Sequence, residues 1–159
     1  MILGEKFLRE RVGDDIGIEP IPNDDQIQPN SIDVRMSNEL WDSATDEIDY
    51  KSSNTLQPGR FYLSCSIEKL DLPSSLCAML TGRSSVGRRG IGVHITAGFV
   101  DSGFSGELTF EMYNFGLKPV SLRATDRIAQ LVFFETKGAT LYDGKYDGQT
   151  GVQKSIPDK

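Results

Sequence analysis

One histidine, two cysteines and no long apolar run set the first limits on this chain of 159 residues. With His94 alone, no histidine-based metal cluster can be built, and no Ser-His-Asp arrangement emerges. His94 is followed by Ile95-Thr96 rather than by x-Glu, and no Pro-Cys-x-x-Cys occurs. That excludes a zinc-dependent deaminase of the cytidine type. Flanked by Val93 and Ile95, the imidazole reads as a structural strand residue. Cys65 and Cys77 form no disulfide framework, and an intracellular chain keeps both reduced. No segment approaches the ~20 apolar residues of a membrane span. The opening MILGEKFLRERV is charged and lacks the apolar core of a signal peptide, so a cytoplasmic location is expected. Basic residues are also few: 17 against 23 acidic, a net charge of −6. Phosphate-backbone affinity needs a broad basic surface, so nucleic-acid binding is not expected. Mild acidity can equally serve solubility alone.

What is present suits one domain with a real core. Leu3, Phe7 and Leu8 at helical spacing predict a short N-terminal amphipathic helix. Beyond it, glycine and proline punctuation takes over. Phe61, Leu63, Cys65 and Ile67 alternate with Tyr62, Ser64, Ser66 and Glu68, the period of a half-buried strand. Leu108, Phe110 and Met112 alternate in the same way with Thr109, Glu111 and Tyr113. Val120 to Leu122 and Ile128 to Phe134 are further strands, the second apolar enough for burial on both faces. Turns are expected at Pro58-Gly59, Asp101-Ser102-Gly103 and Phe115-Gly116. Many short strands at close spacing imply a β-barrel or sandwich. Asp42 to Asn54 reads as a polar surface loop. Gly138 to Lys159, rich in glycine and charge, reads on composition as a disordered tail.

Against its acidic background the chain carries a basic island. Three arginines and two serines fall within residues 83 to 89, and no acidic residue occurs from Leu72 through Val100. Gly82, Gly87 and Gly90 permit close approach of backbone N–H groups to an anion. Arg83, Ser84 and Ser85 add a guanidinium fork and two hydroxyls suited to phosphate oxygens. The Gly-Lys-Ser/Thr ending of a Walker loop is missing, and a solvated basic loop fits the same residues. Asp101 sits in a turn between strands, placed to accept a sugar hydroxyl or simply to shape the turn. Glu111 is a mid-strand carboxylate, which either faces water or lines a pocket. In a pocket, burial would raise its pKa toward neutrality and suit it to general acid–base work.

Six ordered stretches then resemble one family. They are Gln28 to Arg35 (QPNSIDVR), Gly82 to Arg88 (GRSSVGR), His94 to Gly106 (HITAGFVDSGFSG), Glu107 to Asn114 (ELTFEMYN), Arg127 to Phe133 (RIAQLVF) and Lys145 to Gly151 (KYDGQTG). The chain is similar along nearly its whole length to dCTP deaminases of the dUTPase superfamily. The resemblance implies a mainly β fold: a distorted, dUTPase-like (β-clip) barrel with a short N-terminal helix. It implies a single domain over 1–159, with 138–159 a C-terminal flap, and homotrimers with active sites at subunit interfaces. Magnesium would arrive with the nucleotide triphosphate, without a protein ligand cage and without zinc. By the same resemblance Glu111 is the acid/base that activates water for attack at cytosine C4, assisted by Ser84 and Arg88, with the Ala97 carbonyl holding the water. Arg83 and Ser85 take the phosphates, Ser84, Val86, Gly87 and Arg88 belong with them to the substrate-binding set, and Asp101 takes the deoxyribose 3′-hydroxyl. Thr109, Phe110 and Glu111 line the pyrimidine, Gln130 belongs to the binding pattern, and Tyr142, Lys145 and Gln149 lie in the flap. dCTP and dUTP are the implied ligands, with dTTP a candidate inhibitor.

Three positions resemble the relatives that continue from dUTP to dUMP and pyrophosphate. Ala97-Gly98 stands where single-activity enzymes carry Ala-His, Phe99 where they carry arginine, and Gln130 follows the two-activity pattern. The expected function is therefore deamination of dCTP coupled to diphosphate hydrolysis. The alternatives are a deaminase that stops at dUTP, a dUTPase alone, and a non-catalytic nucleotide sensor. A plain dUTPase would not need Glu111. The chain also departs from its relatives: only Asp143-Gly144 separates Tyr142 from Lys145, and the ending VQKSIPDK replaces a Pro-Thr-Pro-Ser-Arg-like one.

Overall fold

The computed structural model describes residues 1–157 and is mainly β. In chain order it contains α1 (Glu5–Arg11), β1 (Gly17–Glu19), β2 (Ile27–Gln28), β3 (Ser31–Asp42), β4 (Glu47–Tyr50), β5 (Ser53–Leu56) and β6 (Phe61–Asp71). There follow β7 (Leu76–Gly82), α2 (Ser84–Gly87), β8 (Ile91–Val93), β9 (Phe99–Val100), β10 (Ser105–Asn114), β11 (Val120–Arg123) and β12 (Arg127–Glu135). One curled half-barrel sheet runs β8-β10-β6-β3-β12-β7-β9, with β1 added to β6 and β2 and β4 to β3; β5 and β11 form a separate pair. All of these pairs are antiparallel. The distorted barrel expected from the sequence is present.

The details correct several expectations. The N-terminal helix forms, but Leu3 precedes it and Phe7 is half exposed, so Leu8 alone of the three anchors it to the core from within the helix. Asp42 to Asn54 is not a loop. It folds as a tight turn and an added strand, with Ile48 opposite Trp41 and Tyr50 opposite Glu39. Its charge disguised the Ile48/Tyr50 alternation, and β4 remains solvent-exposed throughout. β12 is buried on one face, while Gln130, Val132 and Phe134 are half-buried. Strand β10 alternates as expected.

In β6 the polar face is buried as well as the apolar one: Tyr62, Ser64, Ser66 and Glu68 are all nearly inaccessible, and so are Leu63 and Cys65. Each of the first four finds an internal partner. Tyr62 Oη accepts the Gln57 N–H at 2.8 Å, and Ser64 Oγ donates to the Glu39 carbonyl at 2.6 Å. Ser66 Oγ donates to the Glu68 carbonyl and accepts the Leu108 N–H. Glu68 accepts from Gln26 Nε2 (2.9 Å), the Arg35 N–H (2.8 Å) and Arg35 Nε (2.6 Å). Buried polar groups persist when paired in this way, and alternation alone cannot tell such a face from a wet one.

On the same strand Cys65 is 1% exposed, its Sγ 3.0 Å from Ser37 Oγ. Burial pushes its thiol up to about 12. In the unfolded chain the thiol ionises near ~8.5, so between the two values the folded state binds a proton that the unfolded state has lost. Stability then falls as pH rises, by up to ~1.4 kcal/mol per unit. Cys65→Ala should flatten this alkaline limb in urea melts between about pH 9 and 10.5. An unchanged limb would place the loss in other groups.

Candidate active site

Three segments meet around Glu111. Strand β10 presents Thr109 and Glu111 on one face, with Leu108, Phe110 and Met112 in the core on the other. The stretch between β8 and β9 crosses in front of that face and supplies His94, Thr96 and Ala97. The turn after β9 adds Asp101. Together with Trp41, Phe61 and Leu63 they enclose a cavity of about 540 Å³. This is large enough for a nucleoside.

Glu111 is held in place. Its Oε2 accepts the Thr96 N–H at 3.0 Å and the Thr96 hydroxyl at 2.7 Å, and its backbone N–H donates to His94 Nδ1 at 3.1 Å. Two polar atoms of the lining, His94 Nε2 and Thr109 Oγ1, are buried with no hydrogen-bond partner among the described residues. Unpartnered buried donors in a cavity are what a ligand would satisfy. His94 is thus not the strand residue the sequence suggested: it follows β8 and stands against Glu111. The contact spans 17 positions in sequence, so no local signal reveals it.

The tail is ordered against this cavity rather than disordered. Residues 138–157 contain no helix or strand, yet their backbone is tied down repeatedly. The Tyr142 N–H donates to the Ser102 carbonyl and the Gly148 N–H to the Ser105 carbonyl, each at 2.7 Å; the Glu107 N–H donates to the Gln149 carbonyl at 2.9 Å. The Gly151 N–H meets Glu107 Oε2 at 2.7 Å and the Val152 N–H meets Glu39 Oε2 at 2.9 Å. Gly106 permits this close passage, since a Cβ there would lie 2.9 Å from the Gln149 carbonyl oxygen on a backbone with φ +147°. Tyr142 packs on Phe104 with ring centroids 6.0 Å apart, and Tyr142 and Gln149 both line the cavity. Lys145 instead donates to the Ile156 carbonyl at 2.6 Å and lies outside the lining.

The basic island lies elsewhere on the surface. Helix α2 is a single turn following Arg83. A second cleft of about 420 Å³ is lined by Arg83, Ser85, Val86, Arg89 and Arg127 among others. Buried Asp33 faces two of these arginines, with Arg83 Nε at 3.0 Å and Arg127 Nη1 at 3.5 Å. Both approaches are oblique, so the carboxylate oxygens carry no proper hydrogen bond. Burial raises the Asp33 pKa, with the two arginines pulling it back. Ser84, Gly87 and Arg88 are exposed and line neither cavity. Gln130 pairs between Asp33 and Thr81 and lines neither, and Phe110 can offer only its backbone. The chain therefore brings together Ala97, Asp101, Thr109, Glu111, Tyr142 and Gln149, while none of the residues 83–88 lines that cavity. Besides the lining residues Trp41, Phe61, Leu63, Tyr146 and Lys154, sequence reasoning missed the roles of His94, Thr96 and Asp33. Asp33 sits in QPNSIDVR, where a carboxylate amid apolar strand residues was the available signal.

Among the described residues no three His, Cys, Asp or Glu side chains gather as a metal site, and no helix is long and apolar enough to cross a membrane.

A family model described as dCTP deaminase-like matches residues 41–136. The chain is 38% identical over 184 residues to the "dCTP deaminase, dUMP-forming" of Methanosphaera stadtmanae, covering 97% of this chain and 92% of that one. To the protein of the same name from Hathewaya histolytica it is 39% identical over 170 residues, covering 98% and 96%. Among solved structures, 2′-deoxycytidine 5′-triphosphate deaminase from Agrobacterium tumefaciens matches with a TM-score of 0.71 at 23% identity. The match covers 83% of this chain and 47% of that one, so this chain spans about half its length. A dUTPase of Staphylococcus bacteriophage 80alpha matches with a TM-score of 0.59 at 14% identity, over 83% of this chain and 97% of that one. Both structures share the fold. By the extent of the family match and the near-complete coverage of its relatives, the chain belongs to the dCTP deaminase-like family.

Proposed function

We propose that this protein hydrolyses dCTP, taken as its magnesium complex, to dUMP, ammonia and pyrophosphate. The observation that carries the proposal is the Glu111 carboxylate inside a nucleoside-sized cavity, fastened by Thr96 and flanked by Ala97, Asp101 and Thr109. Replacement of an aromatic amino group by water needs one group that first takes a proton and then returns it to the leaving ammonia. Glu111 does both, with the Ala97 carbonyl orienting the water, Thr109 beside the pyrimidine and Asp101 at the sugar. Arginine stays protonated, so Arg88 stabilises charge rather than transferring a proton. The names of the two relatives above support the dUMP-forming reading.

The outward placement of Ser84 and Arg88 supports a homotrimer in which each protomer's basic loop serves a neighbour's cavity. Arg83, Ser85, Val86 and Gly87 then take the triphosphate, which brings the magnesium with it. Residues 138–159 act as the flap, with Tyr142 and Gln149 at the cavity and Lys145 toward the phosphates; Asp158 and Lys159 lie outside the described residues. Gln130 supports the binding loop from β12. dTTP, which is dUTP with a C5 methyl group, is the proposed inhibitor, and the cytoplasm the proposed location.

Purified protein incubated with dCTP or dUTP plus magnesium should release ammonia from the first and pyrophosphate from both. Pyrophosphate from dUTP with no ammonia from dCTP would sink the deaminase reading; ammonia alone would reduce it to one activity. Gly98 sharpens this test. A Cβ at Gly98 would lie 2.5 Å from the Leu80 carbonyl oxygen, and its own carbonyl accepts the Leu80 N–H at 2.7 Å. No side chain fits there unless the segment carrying Ala97 shifts. Gly98→Ala should lower pyrophosphate release by at least ~10-fold, a displacement cost of ~1.4 kcal/mol at the reacting centre. Rates of both products within twofold of wild type would remove Gly98 from the site.

A further inference from the structure

His94, the one histidine of the chain, has an imidazole only 6% exposed. Its Nδ1 accepts the Glu111 backbone N–H at 3.1 Å. A ring nitrogen that accepts a hydrogen bond carries no proton, so the neutral imidazole must hold its hydrogen on Nε2. That atom is buried and has no hydrogen-bond partner among the described residues. The Glu111 Oε2 atom stands 3.7 Å away, already accepting the Thr96 N–H and hydroxyl. Leaving a buried N–H unmade costs ~1–3 kcal/mol, and the acceptors that bear on this ring are the Glu111 carboxylate and the Ala97 carbonyl.

We infer that His94, locked as its Nε2–H tautomer by the Glu111 backbone amide, is a positioning residue that orients the Glu111 carboxylate, an inference resting on the deaminase reading of Glu111. The backbone of Glu111 fixes the ring whose far nitrogen addresses the side chain of the same residue, so ring and carboxylate move as a unit. Thr96 and His94 together occupy Oε2 and leave Oε1 for the water and the pyrimidine. Burial depresses the imidazole pKa, with Glu111 and the Ala97 carbonyl pulling the other way, which keeps the ring neutral and its tautomer defined near neutral pH. Besides Glu111 on β10, the titratable groups lining the same cavity are Asp101 from the turn after β9 and Tyr142, Tyr146 and Lys154 from the tail.

With one histidine in the chain, ¹⁵N-histidine labelling of the intact protein reads this ring alone. The spectrum should show a protonated Nε2 and a bare Nδ1 near neutral pH. A proton on Nδ1, or a ring titrating like free histidine at ~6.5, would overturn the proposal. Two variants separate positioning from packing. The His94→Asn carboxamide reaches the Nδ1 position but offers nothing at Nε2, whereas His94→Gln can place an N–H there. Ammonia release by His94→Asn should fall on the order of 10²-fold in kcat with little change in KM for dCTP, and His94→Gln should recover much of the loss. Equal losses in both variants with a raised KM would show a packing role instead. A wild-type protein that releases no ammonia sinks the reading of Glu111, and the positioning role with it, even where the spectrum shows the Nε2–H tautomer.

Discussion

Glu111→Gln should cut ammonia release from dCTP by ~10²–10⁴-fold, the usual worth of general acid–base catalysis, or ~3–5 kcal/mol of transition-state stabilisation. The amide is nearly isosteric, and its oxygen can still accept both hydrogen bonds from Thr96. What it lacks is the ability to take a proton from water and return it to the departing amine. The loss should therefore fall on kcat, with the affinity for dCTP and dUTP close to wild type by calorimetry. Retained deamination would assign the proton transfer elsewhere. Weakened nucleotide binding with normal turnover would make Glu111 a recognition group only.

The second large effect concerns folding. Arg35→Met should destabilise the protein by ~3–5 kcal/mol, because it strands the Glu68 carboxylate in the core. Glu68 is fully buried and depends on Arg35 for a 2.6 Å charge-assisted bond, its other partners being the Arg35 N–H and the Gln26 amide. Against a typical total of ~5–15 kcal/mol this is a large fraction, readable as a fall in urea midpoint at constant slope. The double variant Arg35→Met/Glu68→Met should recover much of the loss, since an apolar pair of similar volume avoids burying charge. A single-variant cost below ~1 kcal/mol, the range of an exposed pair, would show that water reaches Glu68.

These two carboxylates mark what the sequence made legible. The alternation of β10 placed Glu111 opposite the apolar face but left it between water and a pocket, and its role came from the resemblance carried by ELTFEMYN. Glu68 sits on a strand with the same alternation, which the sequence reads only as half-buried, yet it is fully buried. On β6 the polar side chains are satisfied by Gln26, Arg35, Glu39 and Gln57, partners contributed by other segments. Periodicity reports that two faces differ; it does not report which one finds partners. The same limit hid His94 and Thr96, whose meaning depends on a contact made across the sheet. The basic island was readable as chemistry but not as location, for nothing in GRSSVGR says that it faces away from its own protomer's cavity.

The manner in which the tail is fastened bears on how this chain could diverge from its relatives. Glu107 and Glu39 grip the main-chain N–H groups of Gly151 and Val152, the bonds at Tyr142 and Gly148 are likewise main-chain, and Gln149 is held through both its carbonyl and its side-chain amide. A clasp of that kind excludes proline, which has no N–H to offer, and keeps glycine at 151, where φ is +66° and a Cβ would lie 2.9 Å from Glu39 Oε2. The ending VQKSIPDK adds a side-chain anchor of its own, Lys154, which meets Asp46 at 2.9 Å and lies over the Trp41 ring. Selection would then weigh on strand residues far from the terminus, and the segment most changed in sequence would be among the least changed in path.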